Sequence, residues 1–311
     1  MSSPKPAKTE RRNPRSRGLD RKSTLEILRV LNREDARVAQ AVRRELPRIA
    51  GAVDAIVKAF RNGGRLFYVG AGTSGRLAVL DAAECPPTFG SHPKMVQAII
   101  AGGARALRYA VEGAEDSSAT GARDLSRARI SKRDIVVGIS ASGATPYVLG
   151  ALKFASRRGA ITIGVTSNPD SPLARQAQIA IAPETGPEAI AGSTRLKAGT
   201  AQKMILNLLS SAAMVRMGWV YDNWMVYVAL TNSKLRRRGV RILEESTGAD
   251  TSSAERALRQ SGYDLPVALV MLKARATSDD ARRALGATDG NVRQALEVVR
   301  ETGPAKKRRL R

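Results

Sequence analysis

Leu66-Phe67-Tyr68-Val69-Gly70-Ala71-Gly72-Thr73-Ser74-Gly75 decides the fold. An apolar run of strand length ends in small and hydroxylated residues and opens a helix-like segment. Ile135-Val136-Val137-Gly138-Ile139-Ser140-Ala141-Ser142-Gly143-Ala144-Thr145 repeats the arrangement further along. At a strand-to-helix turn of this kind the first helical N–H groups have no partner within the helix and point outward. Those donors, the positive end of the helix dipole and the Ser/Thr hydroxyls together suit an anion, above all a phosphate.

Outward from these turns, strand and helix alternate. Apolar β-branched runs at 65–69, 95–101, 134–139, 160–166 and 178–182 read as strands. Helical patterns fill 74–83, 104–111, 117–127, 146–158 and 194–217. Upstream, helical spacing begins at Ser23, where Ser23 or Thr24 is the cap, and runs to the Asn62-Gly63-Gly64 stop. The strands show little polar alternation, as expected when both faces are covered. This pattern predicts an α/β fold with a doubly wound parallel sheet, its ligand beyond the carboxyl ends of the strands. Four divisions follow: a disordered basic arm over 1–22, the α/β domain over 23–246, a small helical (UBA-like) domain over 247–303 and a basic tail over 304–311. The helical domain is read as segments at 254–261, 265–274, 278–285 and 291–300.

The chain has 311 residues, enough for one large domain and a small one, and a formal charge of +24. Much of that charge crowds the two ends, in Lys5, Lys8, Arg11, Arg12, Arg15 and Arg17, and again in Lys306 to Arg311. With only 4% aromatic residues there is no base-stacking platform, so weak polyanion binding by the ends is expected rather than specific nucleic-acid recognition. One cysteine, Cys85, excludes an internal disulfide framework and fits a buried, inert thiol in a reducing compartment. No apolar stretch approaches the ~20 residues that cross a bilayer, and the polar, proline-rich start lacks a secretory pattern. A cytoplasmic protein with no membrane partner is expected.

Gly70, Gly72 and Gly75 satisfy a dinucleotide fingerprint, yet the residues about 20 positions on are Gly90, Ser91 and His92, with no acid for a ribose. No Gly-Lys-Ser/Thr follows, which disfavours a triphosphate. In the second turn Ser140, Ser142 and Thr145 alternate with small residues, so their hydroxyls and nearby amides can converge on one anion. Glu84 lies in Asp81-Ala82-Ala83-Glu84-Cys85-Pro86-Pro87, where the two prolines are expected to end the helix. A carboxylate at a helix C-terminus faces the negative dipole end, which favours a raised pKa and a general-acid role. Glu115 follows a glycine break in Val111-Glu112-Gly113-Ala114-Glu115-Asp116. His92, the only histidine, reads as an ordinary loop residue, and no cluster has metal-ligand spacing. Gly192 to Thr200 opens the long helix with hydroxyls and the cations Arg195 and Lys197, which could meet a phosphate or carboxylate.

Together these segments resemble the N-acetylmuramic acid 6-phosphate etherases of the sugar isomerase (SIS) superfamily. The likeness is carried by Ser23-Thr24-Leu25-Glu26, Gly70 to Gly75, Leu80 to Thr88, Ala110 to Asp116, Ser142 to Tyr147 and Gly192 to Lys203. It spans roughly residues 20–300. The resemblance implies one SIS domain, a parallel five-stranded sheet flanked by helices, acting as a homodimer on a small sugar phosphate. It implies cleavage of the D-lactyl ether of N-acetylmuramic acid 6-phosphate, without metal or organic cofactor, in recycling of cell-wall sugars. Its two catalytic glutamates fall on Glu84 and Glu115. Substrate contacts are expected from Gly72, Thr73 and Ser74, from Ser140, Ser142, Gly143 and Thr145, and from Ser193 and Lys197. The family often carries arginine where this chain has Ala144, and Lys197 is the expected compensation.

Two alternatives share the phosphate turns: a non-catalytic sugar-phosphate-binding regulator, and an aldose–ketose isomerase that releases no lactate. The polar arm is expected to be dispensable for turnover.

Overall fold

The computed structural model describes residues 8–302. They divide into two compact units: residues up to Ala83 with Pro93–Ala212, and Glu84–His92 with residues from Ala213 on. Residues 1–7 and 303–311, with the expected basic tail, lie outside the described residues.

The first unit is α/β. Helices α1 (Thr24–Arg44) and α2 (Leu46–Arg61) precede β1 (Leu66–Gly70) and α3 (Gly72–Phe89). Strand β2 (Val96–Ile100) is followed by α4 (Ser118–Arg127), β3 (Ile135–Ile139) and α5 (Pro146–Arg157). Then come β4 (Ile161–Val165), the short α6 (Pro172–Gln176), β5 (Ile179–Ile181) and α7 (Lys197–Met217). All strands pair in parallel, in the order β2-β1-β3-β4-β5. Leu66 is level with Val96 on one side and Ile135 on the other. Every residue of β1 and β3 is buried, so both faces are covered and the runs read as continuously apolar. On one face Phe67, Val69 and Val136 pack with Leu125, Tyr147, Val148 and Leu152.

Local chemistry sets the helix starts. Ser23 and Glu26 form a capping box at α1, Ser117 caps α4, and Pro146 takes the first position of α5, where its missing N–H costs nothing.

The second unit packs α8 (Ser233–Thr247), α9 (Thr251–Gln260), α10 (Leu265–Ala274), α11 (Ser278–Ala287) and α12 (Val292–Thr302). Asn232, Asp250, Asp264 and Thr277 cap the first four with their side chains.

Four expectations are corrected. The helix expected to end at Glu84 continues through Pro86 and Pro87 to Phe89. The prolines forgo ladder bonds to the preceding turn, but Cys85 and Phe89 are buried, and the stop falls at Gly90, at φ +62. The 104–111 helix is only a 3-10 turn over Gly103–Leu107. The junction expected at 246/247 falls at 212/213. Val226, Val228, Leu230, Ile242 and Leu243 share one core with Leu258, Leu269, Leu285 and Leu296, so the linking residues belong to the helical unit. Finally, residues 8–22 of the supposed disordered arm form 3-10 turns at Lys8–Glu10, Pro14–Ser16 and Leu19–Arg21. Asn13 is buried there and donates to Glu34 Oε2 at 2.7 Å and to the Pro187 carbonyl at 3.1 Å.

Candidate active site at the strand ends

Gly70 and Ile139, the last residues of β1 and β3, are Cα partners. The chain leaves β1 for β2 on one side and meets β3 on the other, which makes this crevice the topological switch point, where open α/β sheets bind ligands. Both turns singled out in the sequence therefore open side by side.

In the second turn the three hydroxyls do converge. Ser140 Oγ lies 2.8 Å from Thr145 Oγ1 and 3.4 Å from Ser142 Oγ. The Gly143 amide donates to Ser140 Oγ at 3.0 Å, and the Ala144 amide donates to Ser142 Oγ at 3.2 Å. Ser140 is buried, whereas Ser142 and Thr145 remain half-exposed and Ala144 is exposed. Gly143 sits at φ +70, and a Cβ there would meet Ser171 Oγ at 2.2 Å, so only glycine closes this turn.

In the first turn Gly72 is exposed and Thr73 half-buried, with Gly199 of α7 beside the Thr73 methyl. Ser74 is buried and donates to Gln202 Oε1 at 2.9 Å, which leaves only its oxygen lone pairs for a ligand. Its main work is to tie α3 to α7. Asp81 adds a second tie. It accepts from Tyr68 at 2.9 Å, Asn207 at 2.8 Å and Ser210 at 3.1 Å, while burial raises its pKa against those bonds.

Glu115 is exposed in the loop before α4, and its backbone is anchored because the Tyr147 amide donates to its carbonyl at 3.0 Å. With Gly72, Arg76 and Glu112 it lines a cavity of about 180 Å³. Arg76, which sequence reasoning passed over, donates to the carbonyls of Leu107 and Tyr109 at 3.3 and 3.1 Å and so pins that loop. Glu84 is exposed within α3, in the second unit, and the helix end that underlay its expected general-acid character is absent. His92 is exposed in a loop, and Cys85 is buried and takes part in no disulfide.

Lys197 is corrected outright. Its side chain is 1% exposed, and Nζ is bonded to Glu34 Oε2 at 2.6 Å. Buried and paired with Glu34, the ammonium is not presented at the surface to a phosphate, so it does not compensate for Ala144. Burial alone would raise the Glu34 carboxyl, but hydrogen bonds from Arg15, Lys197 and Asn13 outweigh it and hold the group at about 2. The α7 N-terminus is likewise occupied. Buried Glu188 accepts from the Lys197 and Ala198 amides at 3.0 and 2.9 Å, the place an external anion would take. Ser193 remains half-exposed just ahead of it, its own amide bonded to the Ile190 carbonyl. Neither Glu34 nor Glu188 stands out in a sequence with 28 acidic residues.

The parallel five-stranded sheet with hydroxyl-rich turns at its switch point is of the SIS type, the class whose family models match this chain. Residues 108–212 match the SIS domain model, and residues 48–156 match the model described as the glucokinase regulatory protein N-terminal SIS domain. The chain is 52% identical over 288 residues to the N-acetylmuramic acid 6-phosphate etherase of Serratia proteamaculans (strain 568), covering 93% of this chain and 97% of that protein. The etherase of the same name from Yersinia pestis (strain Pestoides F) is also 52% identical over 288 residues, covering 93% and 98%. The chain belongs to the N-acetylmuramic acid 6-phosphate etherase family. Among solved structures, a phosphoheptose isomerase from Francisella tularensis is similar over 63% of this chain and 100% of its own, at 17% identity and a TM-score of 0.48.

Proposed function

We propose that this chain is a carbon–oxygen lyase that cleaves the D-lactyl ether of N-acetylmuramic acid 6-phosphate to N-acetylglucosamine 6-phosphate and D-lactate, in recycling of cell-wall amino sugars. Family membership supports the reaction. The observation that carries it to particular residues is the pairing of Gly70 with Ile139, which opens both turns into one crevice, with Glu115 lining a cavity beside Gly72.

An unactivated ether resists hydrolysis, but the open-chain sugar has an aldehyde that acidifies the proton on C2. In this reading Glu115 takes that proton, and the electron pair becomes the C2–C3 double bond as the C3–oxygen bond breaks. Glu84 protonates the departing lactate oxygen. Water then adds at C3 of the unsaturated aldehyde and C2 regains a proton. A positioned acid or base contributes on the order of 10²–10⁴ in rate. The phosphate rests on the β3–α5 turn, on Ser140, Ser142, Thr145 and the amides near Gly143, with Gly72, Thr73 and Ser193 bordering the sugar. Fixing that end holds C2 and C3 in place for the carboxylates.

The same proposal includes a homodimer in the cytoplasm. The family resemblance supports the dimer, as do Leu25 and Leu28, exposed one turn apart on α1. A single buried cysteine supports the reducing compartment.

The test is incubation with N-acetylmuramic acid 6-phosphate. Equimolar D-lactate and N-acetylglucosamine 6-phosphate are expected. Binding without lactate would point to the regulator, and a ketose product to the isomerase.

A further inference from the structure

The cavity that holds Glu115 contains an unspent positive charge. Its lining includes two carboxylates, Glu112 and Glu115, and one cation, Arg76. Arg76 is half-buried, and its hydrogen bonds go to two neutral acceptors, the carbonyls of Leu107 and Tyr109. Among the described residues no carboxylate pairs with it, although two line the same cavity. The two carbonyls fix the plane of the guanidinium and use only part of its five N–H donors. A guanidinium keeps its charge at any working pH, and its fork matches a carboxylate in a bidentate way.

The proposed substrate brings a second anion besides its phosphate. The lactyl group carries a carboxylate and hangs from the oxygen on C3, next to the C2 whose proton Glu115 removes. Bringing Glu115 to that proton brings the lactyl carboxylate into a cavity that already holds two acids. Like charges in such a space repel unless a cation lies among them. The second turn offers the phosphate hydroxyls and amides and carries Ala144 in place of a cation, so the phosphate is the competing claimant on Arg76, and the test separates the two.

We propose that Arg76 is the specificity-determining residue that binds the lactyl carboxylate. This rests on the etherase reading and deepens it. Arg76 neutralises the anion beside Glu115 and distinguishes an ether bearing an acid from a sugar phosphate that bears none. It also keeps the severed lactate in place while water adds at C3.

The test compares N-acetylmuramic acid 6-phosphate with its lactamide analogue, in which the carboxylate is a neutral amide. Loss of one charge-assisted contact is expected to lower kcat/KM for the amide about 10- to 100-fold in the unaltered protein. In Arg76→Met that preference disappears, while affinity for N-acetylglucosamine 6-phosphate, which keeps the phosphate and lacks the acid, stays within about twofold. Arg76→Lys retains a cation without the fork and keeps part of the preference. Equal use of acid and amide by the unaltered protein would overturn the proposal whatever the variants do. So would a folded Arg76→Met protein that still prefers the acid, or one that loses affinity for N-acetylglucosamine 6-phosphate, which would place the phosphate on Arg76. No lactate from the natural substrate at all would instead be failure of the etherase reading.

Discussion

Tyr147 donates its main-chain N–H to the carbonyl of Glu115 across 3.0 Å, joining the first turn of α5 to the proposed base. The Tyr147 side chain is fully buried and its hydroxyl donates to Asp124 of α4 at 3.0 Å. Burial, then that bond, pushes the phenol far above its ordinary pKa, so it stays a donor. The proposed phosphate turn and the loop carrying the proposed base are therefore tied by a main-chain bond and, through Asp124, by a side-chain bond between their two helices.

The joint depends on close approach of α4 to α5. A Cβ on Gly121 would meet the Tyr147 carbonyl oxygen at 1.9 Å. Gly121→Ala must push the helices apart, and overpacking of this kind costs about 1–3 kcal/mol. A lower denaturation midpoint together with slower lactate release is expected. An unchanged midpoint would show that the helices separate freely.

Glu115→Ala and Glu84→Ala are each expected to lower lactate release at least about hundredfold, the low end of what a positioned acid or base supplies. Circular dichroism and melting should match the unaltered protein, since both side chains are exposed. Full activity in either variant removes that residue from the mechanism.

Lys197 and Glu34 make a buried ion pair, and removing one partner leaves the other charged and uncompensated. Lys197→Met is expected to cost about 3–5 kcal/mol in urea unfolding. The pH dependence follows from Glu34, which falls from an ordinary value of 4.5 to about 2 in the folded chain. A depressed carboxyl contributes stability that is complete above 4.5 and is lost as the pH falls toward 2. The unfolding midpoint should decline across that window, and Glu34→Gln should flatten the decline. An equal slope in both proteins would contradict the assignment.

The ordered part of the arm bears on stability, apart from its expected dispensability for turnover. Asn13 and Arg15 both bond to Glu34, so deleting residues 1–22 takes two of its partners. Charge-assisted bonds of this type are worth about 1.5–3 kcal/mol each. The truncated protein should melt lower, and Asn13→Ala should reproduce part of the loss. A truncation that melts like the full chain would show that the arm is not braced on Glu34.

The sheet was legible because its signals are local. Short β-branched runs, Ser23 with Glu26, Ser117 and Pro146 each carry their own structural consequence within a few residues, and the strands and helix starts lie close to where they were expected. The glycine-rich turns were legible for the same reason. Several of the failures involve partners distant in sequence. Nothing near Lys197 signals that Glu34, far upstream, claims its charge. The Pro86-Pro87 pair looks like a helix stop until the burial of Cys85 and Phe89 is taken into account. Helix α8 went unread because Lys234 to Arg241 resembles a solvated charge run, while Ile242 and Leu243 enter a core completed only by α9 to α12. Arg76 was overlooked because an arginine near a helix start is commonplace, and its lack of an acidic partner appears only in three dimensions.

The central claim is elimination across C2 and C3 followed by addition of water, and the direct measurement is turnover of N-acetylmuramic acid 6-phosphate in ¹⁸O-labelled water. The account predicts label in the hydroxyl on C3 of N-acetylglucosamine 6-phosphate and D-lactate whose hydroxyl carries none. Label in the lactate hydroxyl, with none at C3, would mean cleavage on the lactyl side of the ether and would contradict it.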